Sequence, residues 1–323
     1  MLRINSIPGM SMHSQRQRGL TLVELMVAMT VGLLLVIAMT AIFVNSSASR
    51  RELALSAEVI ENGRYGLDVL DRELSQTGFY GTLVTPTGNT AVDMCSTDPA
   101  VWAGSLLNHV TGLNNAAASP VCLTRKAGTD AIFIQRASTC QVGEVECDAE
   151  SDKQAYLQVS ECGLEYNATP FVLDRGLKTT FTLQSKACDS AIKAGKRRVI
   201  RRIYYISTAS ALSYIDITPN GISTPVALVE DIEQMQFEYA VDSDGDGTID
   251  SFSPTPATWA DVIGVRVWLL ARSTSASRNA ADATTFKLSA DTTVDIPAAS
   301  SNLKRRVYST YISFVMPKAR KES

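Results

Sequence analysis

The sequence predicts an α+β fold: a long N-terminal helix, its first half apolar enough to cross a membrane, then an antiparallel β-sheet domain with disulfides. Three observations predict it. Leu20 to Val44 contain one ionisable group, Glu24, among hydrocarbon side chains. Apolar residues then recur with a helical period to Leu74, and beyond about Leu83 give way to β-type runs separated by Gly, Pro, Asn and Asp. All six cysteines lie in that later part. A chain of 323 residues is long enough to bury a sizeable core as one large domain or two.

The apolar segment, residues 20–44, rises about 37 Å as a helix, enough for a bilayer core of roughly 30 Å. It is longer than the h-region of a secretory signal, about 7 to 15 residues, although Ser46-Ser47-Ala48 loosely fits a small-x-small cleavage site. Arg3, Arg16 and Arg18 precede it and no acid does, which keeps the N-terminus in the cytoplasm and sends the bulk across. The later apolar run Val262 to Ala271 is short and broken by Arg266, so a single-pass membrane protein with its large domain outside the cytoplasm is expected.

After a polar hinge at Asn45 to Ser49, Leu53, Ile60, Leu67 and Leu74 recur every seventh residue, with Ala57 and Leu70 on the same face. This spacing predicts an amphipathic helix laid on a core, and residues 45–81 complete the long helix. No proline occurs between Leu20 and Val84, so both halves can form one rod of about 85 Å, ending at Thr77-Gly78.

The β-rich domain spans residues 82–323. Strands are expected at Ala131–Gln135, Tyr156–Val159, Phe171–Leu173, Thr180–Leu183, Val199–Ile206, Met235–Val241, Val262–Leu270 and Val307–Met316. Helix first and strands afterwards argue for an antiparallel sheet. Residues 85–190 hold every cysteine and read as a loop-rich elaboration, and Ser273 to Ser301, rich in Ala, Thr and Ser, reads as a surface excursion. In an oxidising compartment Cys95, Cys122, Cys140, Cys147, Cys162 and Cys188 pair as disulfides; no CxxC spacing supports zinc. Of the 15 pairings six cysteines allow, the neighbour pairing 95–122, 140–147, 162–188 is the expected one.

Arg18-Gly19-Leu20-Thr21-Leu22-Val23-Glu24-Leu25-Met26-Val27 closely resembles the type IV prepilin signature. The resemblance implies that a membrane prepilin peptidase cuts after Gly19 and N-methylates Leu20; many pilins begin with phenylalanine, so leucine is a mild departure. Glu24 supports the reading independently, since a carboxylate in hydrocarbon costs about 2.5–3.5 kcal/mol on insertion scales. The bland alternative is that it snorkels to the membrane surface. In the family the amine of an adjacent subunit neutralises this glutamate and sets axial register. Leaders of this class are short, and a start at Met12 rather than Met1 fits that habit. Removing leader residues 1–19 takes three arginines and no acid, and moves the formal charge from −3 to −6.

The resemblance continues through Glu61-Asn62-Gly63-Arg64-Tyr65, Leu70-Asp71-Arg72-Glu73-Leu74 and Gly78-Phe79-Tyr80-Gly81. It resumes at Leu228-Val229-Glu230-Asp231-Ile232 to Tyr239, the aspartate-rich loop beyond, and Arg305-Arg306-Val307-Tyr308. These segments are similar, in order, to PilW-type minor pilins. The resemblance implies a non-enzymatic subunit that primes pilus assembly with other minor pilins and the major pilin, and then sits at or near the tip beside an adhesin-like protein. The related J-type pseudopilins of type II secretion, and a calcium-dependent adhesin on a pilin-type anchor, stand as alternatives.

Asp242, Asp244, Asp246 and Asp250 stand at positions 1, 3, 5 and 9 of a calcium-type loop, with Gly247 at 6 and the Thr248 carbonyl at 7. Position 12 is Ser253, so the bidentate glutamate is missing, and a solvated Asp/Gly turn is the alternative. Lys193, Lys196, Arg197, Arg198, Arg201 and Arg202 form a basic run. Its two readings are contact with nucleic-acid phosphates and, preferred here, a charge-protected sheet edge. One external histidine, His109, and no phosphate loop, nucleophile elbow or HExxH leave no active site to assemble, and His109 reads as structural.

Overall fold

A computed structural model of the chain describes residues 19, 21–115, 118–278, 285–290, 292–296 and 301–322. The leader up to Arg18, and Leu20, lie outside the described residues. The chain divides into two compact units, residues 1–51 and 52–323.

Helix α1 (Leu22–Leu74) begins in the first unit and ends in the second. In the first unit its large apolar side chains are exposed, from Leu22 at 75% to Phe43 at 71%, over a length and composition sufficient to cross a membrane. Apolar surface on all sides of a helix is what a bilayer or neighbouring helices cover.

In the second unit the buried stripe of α1 is Leu55, Val59, Gly63, Gly66, Leu70 and Leu74. This corrects the seven-residue reading: Leu53 is 71% exposed, Ala57 is exposed, and Ile60 and Leu67 are half-buried. The difference has a steric cause. A β-carbon on Gly63 would lie 2.2 Å from the Tyr308 ring, and one on Gly66 would lie 3.0 Å from Leu269 Cδ1. The helix is seated through two glycines, which carry no hydrophobic signal.

The remaining elements are α2 (Pro99–Ala103), β1 (Val110–Leu113), β2 (Ala131–Gln141), β3 (Ala155–Val159), α3 (Gly163–Ala168), β4 (Phe171–Arg175), β5 (Lys196–Ile206), β6 (Leu212–Thr218), β7 (Gly221–Ile222) and β8 (Val226–Val229). They continue with β9 (Ile232–Val241), β10 (Ser251–Ser253), β11 (Val262–Arg272), β12 (Thr285–Lys287), β13 (Thr293–Asp295), β14 (Arg305–Ser313) and α4 (Val315–Lys321). The predicted strand at Thr180–Leu183 is absent: only an isolated bridge, Gln184 to Lys193, forms nearby. The run expected to reach Met316 ends at Ser313, and Met316 belongs to α4.

One sheet runs β1-β2-β5-β3-β4, with β6 also on β5 and β7 and β8 on β6; a second runs β10-β9-β11-β14. Every strand pair among the described residues is antiparallel. Strands β1–β4, all from residues 85–190, are therefore built into the sheet that holds β5.

Both faces of β2 and β5 are buried, and side-chain alternation divides them between two cores. Ile132, Ile134, Tyr204 and Ile206 join Val59, Leu70 and the β9/β11 residues Phe237, Val265, Val267 and Leu269. Phe133, Ala137, Val199, Ile203 and Tyr205 join Leu83, Met94, Trp102, Leu106 and Leu123 on the opposite face. The excursion after β11 is more than a loop. It carries the β12–β13 hairpin and packs Leu288 and Ile296 with Leu270 of β11 in a small core.

Disulfides join Cys95–Cys122, Cys140–Cys147 and Cys162–Cys188, each to its neighbour in sequence.

Candidate functional site

Three features were singled out in the sequence, and the fold treats each differently. At the start of α1, Gly19 is exposed, with nothing within 4 Å of where a β-carbon would stand. Thr21 caps the helix. Its hydroxyl accepts from the Glu24 N–H at 3.2 Å, and its carbonyl accepts from the Leu25 N–H at 3.1 Å. Glu24 thus occupies the third helical position, where a carboxylate is favoured by the helix dipole. The Thr-x-x-Glu spacing that announces this cap is plain in the sequence, and the reading of Glu24 as only an assembly residue missed it.

The acidic loop leaves β9 at Asp242, which is fully buried. Its carboxylate accepts from the Gly245 N–H at 2.7 Å and the Gly247 N–H at 2.9 Å. Both glycines have left-handed φ, 82° and 84°, which curls the chain back over Asp242. Carboxylate oxygens of Asp242, Asp244 and Asp250 lie within 4.8 Å of one another.

Asp246 is not in that group: it accepts from the Thr248 N–H and hydroxyl, each at 2.7 Å. Those bonds hold its carboxyl below the usual carboxylate range. Asp250 is lowered likewise by the Ser243 hydroxyl and N–H. An all-oxygen donor set suits a hard divalent cation.

Sequence spacing gave no hint of what α4 adds. Lys321 Nζ donates to the Asp242 carbonyl at 2.6 Å, pairs with Asp261 Oδ1 at 3.1 Å, and stands 3.7 Å from Asp242 Oδ2. Glu322 lies against Gly247, where a β-carbon would come within 2.3 Å of its Cγ. The C-terminal residues already supply one positive charge to the loop.

The basic run does not lie on a sheet edge, because β5 is bonded to β2 on one side and to β3 and β6 on the other. Most of its charges are spent on partners within the fold. Lys196 pairs with Glu150 at 2.5 Å, Arg202 with Asp216 at 2.7 Å and Glu73 at 3.4 Å, and Arg197 donates to the Thr139 carbonyl.

Arg201, on the face opposite Arg202, is 1% exposed and stacked 4.8 Å from the centres of both Trp102 and Phe133. It donates to the carbonyls of Ser96 and Asp93 at 3.0 Å each, and burial brings its pKa down to about 9. Arg201 therefore fastens the loop that carries Cys95. Lys193, which donates to the Thr182 carbonyl at 3.0 Å, is exposed, and Arg198, paired with Asp148 at 3.6 Å, is partly open.

His109 is buried, its ring nitrogens 3.0 Å from the Leu107 carbonyl and 2.8 Å from that of Val262. Burial brings its pKa down to about 4.

Residues 203–315 match the family model of Type IV Pilus-assembly protein W, and residues 14–40 match the Prokaryotic N-terminal methylation motif. No curated protein and no solved structure matches. The first match begins inside β5 and covers the β9/β11/β14 sheet on which α1 is seated; the second covers Gly19, Glu24 and the apolar start of α1. Residues 203–315 are thus similar to the PilW family of type IV pilus assembly proteins, pilin-like structural proteins, and residues 14–40 carry the N-terminal methylation motif.

Proposed function

We propose that the chain is a minor pilin that helps to initiate pilus assembly from the inner membrane and then sits at or near the tip, with other minor pilins, the major pilin and an adhesin-like protein as partners. The observation carrying this reading is the union, in one chain, of an exposed apolar helix bearing a lone Glu24 and a disulfide-stapled β domain with the PilW match. Residues 1–19 act as the leader, 20–44 as the membrane half of the helix, 45–81 as its amphipathic half and 82–323 as the extracytoplasmic domain. Prepilin peptidase cuts between Gly19 and Leu20, and Glu24 pairs with a neighbour's new amine once helices pack. Deleting the gene and imaging the cells tests the role. Lost pili support it, lost secretion with intact pili supports the pseudopilin alternative, and intact pili with lost attachment supports an anchored adhesin.

Calcium binding at Asp242, Asp244 and Asp250, with Asp246 and the Thr248 carbonyl completing the set, belongs to the same proposal. Support comes from the three converging carboxylates and their all-oxygen chemistry. Without a bidentate ligand at Ser253, and with Lys321 beside Asp242, the affinity is that of an extracellular module, a Kd of about 10⁻⁴ to 10⁻³ M.

A further inference from the structure

Asparagine followed two residues later by serine or threonine occurs twice, at Asn45-Ser46-Ser47 and at Asn167-Ala168-Thr169. The two differ in one respect that matters to a bacterial oligosaccharyltransferase, which reads an acid two residues before the acceptor. Phe43 stands there for Asn45, and Glu165 stands there for Asn167.

The fold presents the second segment at the surface. Asn167, Ala168 and Thr169 are all exposed, at the end of α3, a helix of six residues none of which is buried. Thr169 caps it through its N–H to the Glu165 carbonyl at 2.7 Å, and Pro170 prevents its continuation. A helix this short owes little stability to its own hydrogen bonds; what a transferase must release to draw it into extended form is the packing of Tyr166 on the second core and the bonds of Glu165. Its base is pinned on both sides. Cys162 is tied to Cys188, and the Ser160 N–H donates to the Pro170 carbonyl at 2.9 Å. These ties hold the ends of β3 and β4 in place when residues 163–169 open. Glu165 accepts from the Ser160 hydroxyl and the Gln184 N–H, each at 2.6 Å, and is held as a carboxylate.

We propose that Asn167 is an N-glycosylation site, modified by a bacterial-type oligosaccharyltransferase from a polyprenyl-pyrophosphate-linked glycan. The Asn167 amide nitrogen forms a bond to the anomeric carbon of the first sugar. The bond from that carbon to the pyrophosphate oxygen breaks, polyprenyl pyrophosphate leaves with its electrons, and the amide nitrogen gives one proton to a base. The inference rests on the domain lying outside the cytoplasm, where surface asparagines in this spacing meet such enzymes.

The test is glycopeptide mass spectrometry on the full chain purified from its own host, with protease accessibility in spheroplasts measured in parallel. Peptides spanning Asn167 should carry hexose or N-acetylhexosamine increments, and those spanning Asn45 should not. Thr169→Ala and Glu165→Gln should each abolish the modification, while Thr169→Ser should retain it. Because Glu165→Gln also weakens two hydrogen bonds, the Thr169 pair serves as the fold-neutral comparison. An accessible domain with unmodified Asn167 overturns this proposal alone. A domain shielded from protease overturns the extracytoplasmic reading and this proposal with it.

Discussion

Gly63→Ala separates two accounts of the helix by the sign of its effect. On an exposed helix face, alanine in place of glycine stabilises by about 1 kcal/mol, because the unfolded chain loses less freedom and the helix gains a better former. Here the new β-carbon would stand 2.2 Å from Tyr308 Cδ2 and Cε2 and 2.8 Å from Cζ. Carbon atoms sit comfortably at about 3.5–4.0 Å, so α1 and β14 must part by more than 1 Å or the ring must leave its place. Tyr308 is a ring on a strand in unbroken register with β11 from Arg305 to Ser313, so it cannot withdraw as a flexible chain end would.

Overpacking of this kind costs about 1–3 kcal/mol. Set against the gain of about 1 kcal/mol in propensity, the net is destabilisation of up to about 2 kcal/mol, toward the upper end because the 2.2 Å overlap is with a ring. For a domain of this size each kcal/mol moves Tm by about 2–4 °C. Thermal unfolding of the full chain in detergent should therefore show a lower Tm for Gly63→Ala. Gly66→Ala should cost less, since its tightest contact, 3.0 Å to a methyl of the buried Leu269, needs a shift of only a few tenths of an ångström. In a Tyr308→Ala background Gly63→Ala should turn stabilising, a coupling that a double-mutant cycle reads directly. A higher Tm for Gly63→Ala in the wild-type background refutes the seating of α1 described above.

Arg201→Lys should destabilise by about 1–3 kcal/mol, because an ammonium cannot reach both loop carbonyls while lying between two rings; denaturant unfolding measures it, and an unchanged midpoint counts against the fastening role. Asp130 is buried and accepts from the Asn115 and Phe237 N–H groups, yet burial pushes its pKa up to about 6. The protonated form is thus favoured in the folded state, and a contribution of about 3 kcal/mol, full below pH 4, is lost as pH rises through about 6. The difference in stability between wild type and Asp130→Asn should follow that window and be flat outside it. Chelation should lower Tm by a few degrees, since 1 mM calcium at a Kd of about 0.1 mM contributes about 1.4 kcal/mol; Asp244→Ala should abolish the calorimetric heat, and wild type with neither response is a polar turn. Glu24→Ala should insert and be cleaved normally yet fail to co-purify with partner pilins, and normal piliation would contradict that.

Much of the architecture was legible because it is written in hydropathy. The run Leu20–Val44, the strand cores of β2, β5, β9 and β11, and the even cysteine count each state their role locally. What stayed illegible depends on contacts distant in sequence. Gly63 and Gly66 look like helix defects until Tyr308 and Leu269 fill the space above them. Arg201 and Arg202 look like one surface charge patch until strand alternation sends them to opposite faces, one beneath Trp102 and the other toward Glu73. Strand β6 is not among the expected strands although Leu212-Ser213-Tyr214-Ile215-Asp216-Ile217 alternates. The acidic loop was found from spacing alone, but its supporting Lys321 lies beyond any local motif.

The central claim is that the exposed apolar helix is a processed pilin helix, and the mass of the mature N-terminus tests it most directly. Protein isolated from membranes of its own host should begin at Leu20 carrying one added methyl group on its amine, and Gly19→Val should accumulate the uncleaved precursor. A mature chain that begins at any other residue, or a Gly19→Val chain processed as efficiently as wild type, contradicts the account.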